Sequence, residues 1–152
     1  MTPQQILKLF EAVQRGKLQP RDAVERLKHL PFEDLGFAKL DHHRLLRQGM
    51  PETVYAPGKT PEQIAQIVRQ MLKRSPNGLV TRANRAVAAR VRRVSRLAQF
   101  HPLSGVIAIQ RDRSQLGKGT VLVVSAGSSD IPVAEEALVT AVLMGNPVAH
   151  LC

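Results

Sequence analysis

The sequence predicts an α/β chain in three parts. An N-terminal helical hairpin comes first, then a small β-α-β-α-β domain, then the start of a parallel α/β domain that remains incomplete. Three observations carry this. Residues 2–30 hold apolar side chains at helical spacing, and residues 50–112 alternate short apolar runs with amphipathic segments. Val121-Leu-Val-Val124 is continuously apolar, as a parallel strand buried on both faces should be, and leads into a small-residue loop and a helix start.

Thr2-Pro3-Gln4-Gln5 is a helix start, with Thr as N-cap, Pro in the first turn and Gln at the third position. Ile6, Leu9, Phe10 and Val13 follow on one face, and Gly16 ends the helix. A second helix starts at Pro20, with Ala23, Val24, Leu27 and Leu30 on one face, and stops at Pro31. This stripe is too small to be a core alone and should dock on something else. Residues 31–52 show no periodicity and read as an irregular segment, so 1–48 is taken as the first region.

The second region, 49–112, opens with the strand Thr53–Ala56. Thr60-Pro-Glu-Gln63 repeats the capping signature before Ile64, Ile67, Val68, Met71 and Leu72, an amphipathic helix. Pro76-Asn77-Gly78 reads as a turn, Leu79–Thr81 as a strand, Arg82–Arg96 as a helix and Ser104–Gln110 as a third, parallel strand. Residues 113–119 form a polar linker. In 120–152, strand Thr120–Val124 precedes a helix from Asp130 or Ile131 to about Met144, and Pro147–Cys152 begins another strand.

Composition excludes several classes. The chain has 152 residues, 43% of them apolar, so a packed core is expected; only 3% are aromatic, so that core is aliphatic. No apolar run approaches the ~20 residues that span a bilayer. The N-terminus lacks the basic and apolar blocks of a signal peptide, and a single cysteine forbids an internal disulfide; the expectation is a cytoplasmic protein. The net charge of +10 raises nucleic-acid binding, with Arg69, Lys73, Arg74, Arg82, Arg85, Arg90, Arg92, Arg93 and Arg96 running without an acid. Yet Val87, Val91, Val94 and Ala98 share one helical face with Arg85, Arg92 and Arg96 opposite, which is the pattern of a solvated face. No aromatic residue interleaves for base stacking, so nucleic-acid binding is the weakest reading.

Several motifs fail on chemistry. Asp41-His42-His43 offers ligand types, but adjacent histidines rarely reach one ion, and no metal is expected. Gly58-Lys59-Thr60 lacks the earlier glycine of a phosphate-binding loop, and Gly117-Lys118-Gly119-Thr120 precedes a strand instead of a helix. His29, His101 and His150 are isolated and read as structural. Cys152 has nothing to activate it.

The remaining candidate is Ser125-Ala-Gly-Ser-Ser-Asp130. It follows the carboxyl end of a parallel strand, where open α/β sheets bind ligands, and it precedes a helix N-terminus. Gly127, Ser128, Ser129 and Asp130 are the candidate binding residues. Asp130 can cap the helix or accept from ligand hydroxyls; Glu135 and Glu136 suit the first turn for dipole reasons alone. The competing reading is a tight strand-to-helix turn.

These residues carry a resemblance. Val123-Val-Ser-Ala-Gly-Ser-Ser-Asp-Ile-Pro-Val-Ala-Glu-Glu-Ala137 is similar to the opening motif of the nickel-pincer cofactor biosynthesis carboxylases of LarB type, relatives of phosphoribosylaminoimidazole (AIR) carboxylase. Leu30-Pro-Phe-Glu-Asp-Leu-Gly-Phe-Ala-Lys-Leu-Asp-His-His-Arg44, Arg47-Gln-Gly-Met-Pro-Glu-Thr-Val54 and Gly58-Lys-Thr-Pro-Glu-Gln63 resemble the same family's N-terminal region. The resemblance implies a flavodoxin-like catalytic domain and an oligomer. It also implies carboxylation of the pyridinium ring of nicotinic acid adenine dinucleotide, with hydrolysis of its phosphoanhydride. Carbon dioxide or bicarbonate would be the co-substrate, with no bound cofactor. By that resemblance Ser128 and Asp130 contact ligand, and Gly127 and Ser129 contribute backbone N–H groups.

The family's later glycine-rich loops and catalytic cysteine have no counterpart here, and Cys152 does not inherit that role. No catalytic residue is therefore assigned. The expectation is a C-terminally truncated member, inactive alone, with Leu138, Val142 and Leu143 short of cover. The alternative is a non-catalytic binding or assembly module.

Overall fold

The structure, a computed structural model, describes residues 3–28, 32–41 and 52–151. They fall into two compact units, residues 1–52 and 53–152.

In the first unit, helices α1 (Pro3–Gln14) and α2 (Pro20–Lys28) form the expected hairpin. Leu9 and Ala23 are buried, but Phe10 and Val24 are more than half exposed. Thr2, the expected cap, lies outside the described residues. The segment read as irregular holds a small antiparallel hairpin, β1 (Phe32–Asp34) and β2 (Lys39–Asp41). Its turn is local chemistry: the Gly36 N–H donates to Asp34 Oδ1 at 2.8 Å, and the Leu35 N–H to the Ala38 carbonyl at 2.8 Å.

The second unit is α/β. Its four-stranded sheet runs β3 (Thr53–Tyr55), β4 (Asn77–Thr81), β6 (Val106–Gln110), β5 (Ala98–His101). Helix α3 (Pro61–Arg74) crosses from β3 to β4, which pair in parallel. Its start is the reciprocal capping box read from sequence: Gln63 N–H donates to Thr60 Oγ1 at 3.2 Å, and Thr60 N–H to Gln63 Oε1 at 2.9 Å. Ile64, Ile67, Val68, Met71 and Leu72 are all buried.

Three expectations need correction here. The sheet is mixed, because β6 runs antiparallel to both neighbours. Helix α4 (Arg85–Val94) is shorter than 82–96; Asn84 caps it by accepting from Val87 N–H at 3.0 Å, and Arg82 lies outside it at φ 56°. Ala98 belongs to β5, a strand the sequence reading did not contain. The α4 crossover leads to β5, and a tight turn at 102–105 sends the chain back as β6 into the gap between β4 and β5. Third, Asn77 begins β4 and is more than a turn residue. Its Oδ1 accepts from the N–H groups of Arg111 and Asp112, both at 2.9 Å. Its Nδ2 donates to the carbonyls of Asp112 at 2.9 Å and Leu143 at 3.3 Å.

Sheet alternation divides the core. Gly78, Val80, Ile107 and Ile109 share the face beside Met71 and Leu72 of α3. Leu79, Val106 and Ala108 face the other way, onto Leu143 and Val139 of α5 (Ile131–Leu143). So Leu143, expected to lack cover, is buried, because the four-stranded sheet supplies it; Val142 stays 44% exposed. Helix α5 also crosses between β7 (Val121–Val124) and β8 (Val148–Leu151), a parallel two-stranded sheet. The expectation of a β7 buried on both faces does not hold: Val121, Leu122 and Val124 are 39%, 57% and 64% exposed; among the described residues β8 is its strand neighbour and α5 the helix packed on the pair.

Asp112 begins the segment leading to β7. Its exposed carboxylate accepts from Ser114 Oγ at 2.6 Å and Ser114 N–H at 2.9 Å, and these bonds hold its pKa below the ordinary carboxylate value. A depressed folded pKa contributes stability above the unfolded value, lost as pH falls through the folded one. Ser114→Ala should return the Asp112 pKa toward the ordinary range in an NMR titration; an unchanged midpoint would show that the contact does not set it.

Gly58 and Gly105 both have left-handed backbone, at φ +79° and +68°. Space surrounds Gly58, whereas a Cβ at Gly105 would lie 2.8 Å from the Ala83 carbonyl, whose own residue donates its N–H to Gly105 O at 2.7 Å. Gly58→Ala should cost about 1 kcal/mol in urea unfolding, from backbone conformation alone. Gly105→Ala should cost clearly more, and equal losses would refute the steric account.

Candidate functional site

The ladder of β7 and β8 ends with the Ser125 N–H donating to the Leu151 carbonyl at 3.0 Å. The loop of interest leaves from that point, at the carboxyl ends of both strands. Gly127 is extended, at φ −124° and ψ 152°, and Ser128–Asp130 form one 3₁₀ turn closed by Asp130 N–H donating to Gly127 O at 3.0 Å. Helix α5 begins immediately after. The aligned peptide dipoles of α5 give that end positive partial charge, although Pro132 in its first turn offers no N–H.

The four candidate residues thus sit together. Gly127 is half-buried; Ser128, Ser129 and Asp130 are exposed. The cap expected of Asp130 is not made: its backbone is helical, φ −87° and ψ −16°, and its side chain forms no capping bond. Only Ser129 Oγ approaches the carboxylate, at 3.4 Å. An acceptor is therefore left facing solvent at the helix start. A Cβ on Gly127 would meet Asp130 and Ser129 atoms at 3.6 Å, an ordinary contact, so folding does not require glycine there.

The structure adds one residue. His150, read as isolated, lies on β8 in register with Val123, and its Nε2 is 3.1 Å from Ser125 Oγ. The signal was present in the parallel pairing of two strands separated by a helix, which brings their carboxyl ends together. Ser125 and His150 thereby join a hydroxyl and an imidazole to the loop's edge.

Glu135 and Glu136 fasten α5 and do not line the loop. Glu135 Oε2 accepts the Ser104 N–H at 2.8 Å, and its Oε1 is 3.9 Å from His101 Nδ1; Glu136 lies 3.6 Å from Arg82. Elsewhere Lys59 Nζ donates to the Tyr55 carbonyl at 2.9 Å and Thr60 is the α3 cap, so that trio supports structure. Gly117 N–H donates to Gly145 O, and Thr120 leads into β7 as the sequence suggested. Asp41 donates its N–H to Glu52 Oε2 at 2.7 Å; His42, His43 and Cys152 lie outside the described residues. Among the described residues no three metal-ligating side chains converge, and no helix is long and apolar enough to cross a membrane. Arg85, Arg92 and Arg93 of α4 are exposed, as a solvated helix face requires, and so is Arg96 beyond the helix end.

The fold and the loop define a class first: an α/β protein with a polar loop at the carboxyl ends of paired parallel strands. Comparison with known proteins then gives the family. Residues 32–112 match the LarB/PurE-like N-terminal domain, and the chain belongs to that family. An uncharacterized protein of Methanocaldococcus jannaschii is 32% identical over 152 aligned residues, covering 90% of this chain and 56% of the relative. The chain therefore spans about half the length of that relative. The matched domain includes β1 to β6; the loop at 125–130 lies beyond it.

Removing the Glu135 carboxylate strands the Ser104 N–H, whereas Glu136 and Arg82 are a partly exposed pair. Glu135→Ala should cost about 1–3 kcal/mol in denaturant unfolding, and Glu136→Ala under about 1 kcal/mol. The reverse ranking would reject Glu135 as the fastening group.

Proposed function

We propose that this chain supplies the nucleotide-contacting loop of an AIR carboxylase-related carboxylase/hydrolase acting on nicotinic acid adenine dinucleotide. The observation that carries it is the loop's place: Gly127–Asp130 at the carboxyl ends of β7 and β8, before α5, with an uncapped Asp130 carboxylate. Membership of the LarB/PurE-like family supports it.

In this reading the chain's own residues bind and orient. The N–H groups around Ser128 and Ser129 and the start of α5 meet phosphate oxygens. Asp130 accepts from ribose hydroxyls, and Ser128 and Ser129 add short hydroxyls. Carbon dioxide or bicarbonate supplies the carboxyl group. The other walls would come from further parallel strands paired along the edges of the β7–β8 sheet. The intact enzyme is proposed as a cytoplasmic homo-oligomer, and the 152 residues alone as inactive.

Binding of nicotinic acid adenine dinucleotide tests the loop. Asp130→Asn should weaken it about tenfold, the scale of one charge-assisted hydrogen bond, with an unchanged melting temperature. Mass spectrometry with bicarbonate should find carboxylated mononucleotide only after the chain is joined to the remaining part of a longer family member. Absence of binding and product in both forms would sink the proposal.

A second reading, a non-catalytic module that docks on another chain, is favoured by the exposed Leu122, Val124 and Val133. Binding without any product, in the joined form as well, would select it.

A further inference from the structure

Two clefts open along α4, and their charges differ. One, of about 370 Å³, lies between α3 and α4 beside Arg69 and Arg93 and contains its own counter-charge, Glu62, 3.4 Å from Arg90. The other, of about 400 Å³, lies where α4 ends against β5, and Arg92, Arg96 and Arg113 line it with Leu97, Phe100 and Gln110. No acid is among its lining residues, and none of the three arginines has an ion-pair partner among the described residues.

Three guanidinium groups around one cleft require explanation. The C-terminal dipole of α4 attracts cations, but it amounts to roughly half a charge against three. Nearby groups are already engaged elsewhere: Arg111 Nη1 donates to the Leu72 carbonyl at 3.0 Å, and Asp112 accepts from Ser114. The three come from separate places. Arg92 is in the last turn of α4, Arg96 follows its Ser95 cap, and Arg113 lies three residues past the end of β6. The β5–β6 pairing, Ala98 with Ile109, draws the segments around Arg96 and Arg113 together. Like charges held this way repel unless an anion joins them, and guanidinium groups match phosphate oxygens in pairs. Leu97, 54% exposed, and the partly exposed Phe100 add an apolar wall.

We infer that this cleft binds a small organic di- or triphosphate, its phosphates held by Arg92, Arg96 and Arg113 and its organic body resting on Leu97 and Phe100. It shares no residue with the Gly127–Asp130 loop, and its case does not depend on that loop's role.

Calorimetric titration of the full chain with inorganic pyrophosphate and with ADP, at two salt concentrations, tests this. Arg92→Gln, Arg96→Gln and Arg113→Gln replace exposed side chains and should keep the native circular dichroism. Each should weaken pyrophosphate about tenfold, the scale of a lost charge-assisted bond. Arg69→Gln and Arg93→Gln, on the other cleft, should leave it unchanged. Leu97→Ser should weaken ADP and spare pyrophosphate. No binding at either salt concentration overturns the inference. Equal losses in the Arg69 and Arg93 variants also overturn it, and would indicate a diffuse basic face suited to nucleic acid.

Discussion

Helix α5 has apolar side chains on nearly every side, and such a helix must be covered on more than one face. The second unit is organised around that constraint. Leu143 and Val139 close the face of the four-stranded sheet left open by α3 and α4, against Leu79, Val106 and Ala108. The same helix connects β7 to β8 and so presents the loop at its own N-terminus. Polar bonds fix it where apolar contact alone would let it slide. Glu135 holds its first turns to the β5–β6 turn, and Asn77 holds the carbonyl of its last residue.

The faces that α5 and β7 leave open bear on the proposed function. Ile131, Val133 and Val142 of α5 and Leu122 and Val124 of β7 all remain exposed. The strand pair gives the 125–130 loop its direction, and the start of α5 gives it positive potential. In the arginine cleft the three cations converge through contacts wholly within the second unit.

Much of this was legible in the residues. Capping chemistry marked the start of α3 because Thr60 and Gln63 bond within one turn and need no distant partner. The buried stripe of α3 followed from period alone, as did the loop's place between an apolar strand and a helix. Strand β5 was not legible: Gln99 and His101 interrupt its apolar residues, and an edge strand of four residues has little else to announce it. The direction of β6 was hidden for the same reason, since it depends on the turn after β5. His150 reached the site only through the register of β7 with β8, a pairing between segments 25 residues apart.

The sequence by itself determined what is local: helix starts and stops, the apolar faces, the small-residue loop and the family resemblance those residues carry. Tertiary structure decided what depends on segments distant in the chain. It inserted β6 between β4 and β5, buried Leu143 under a neighbouring sheet, and left β7 bare. It also turned Asn77 into a junction and gathered Arg92, Arg96 and Arg113. Hydrogen bonds within a turn are set by a few neighbouring residues, whereas sheet order and charge convergence exist only once the chain has returned on itself.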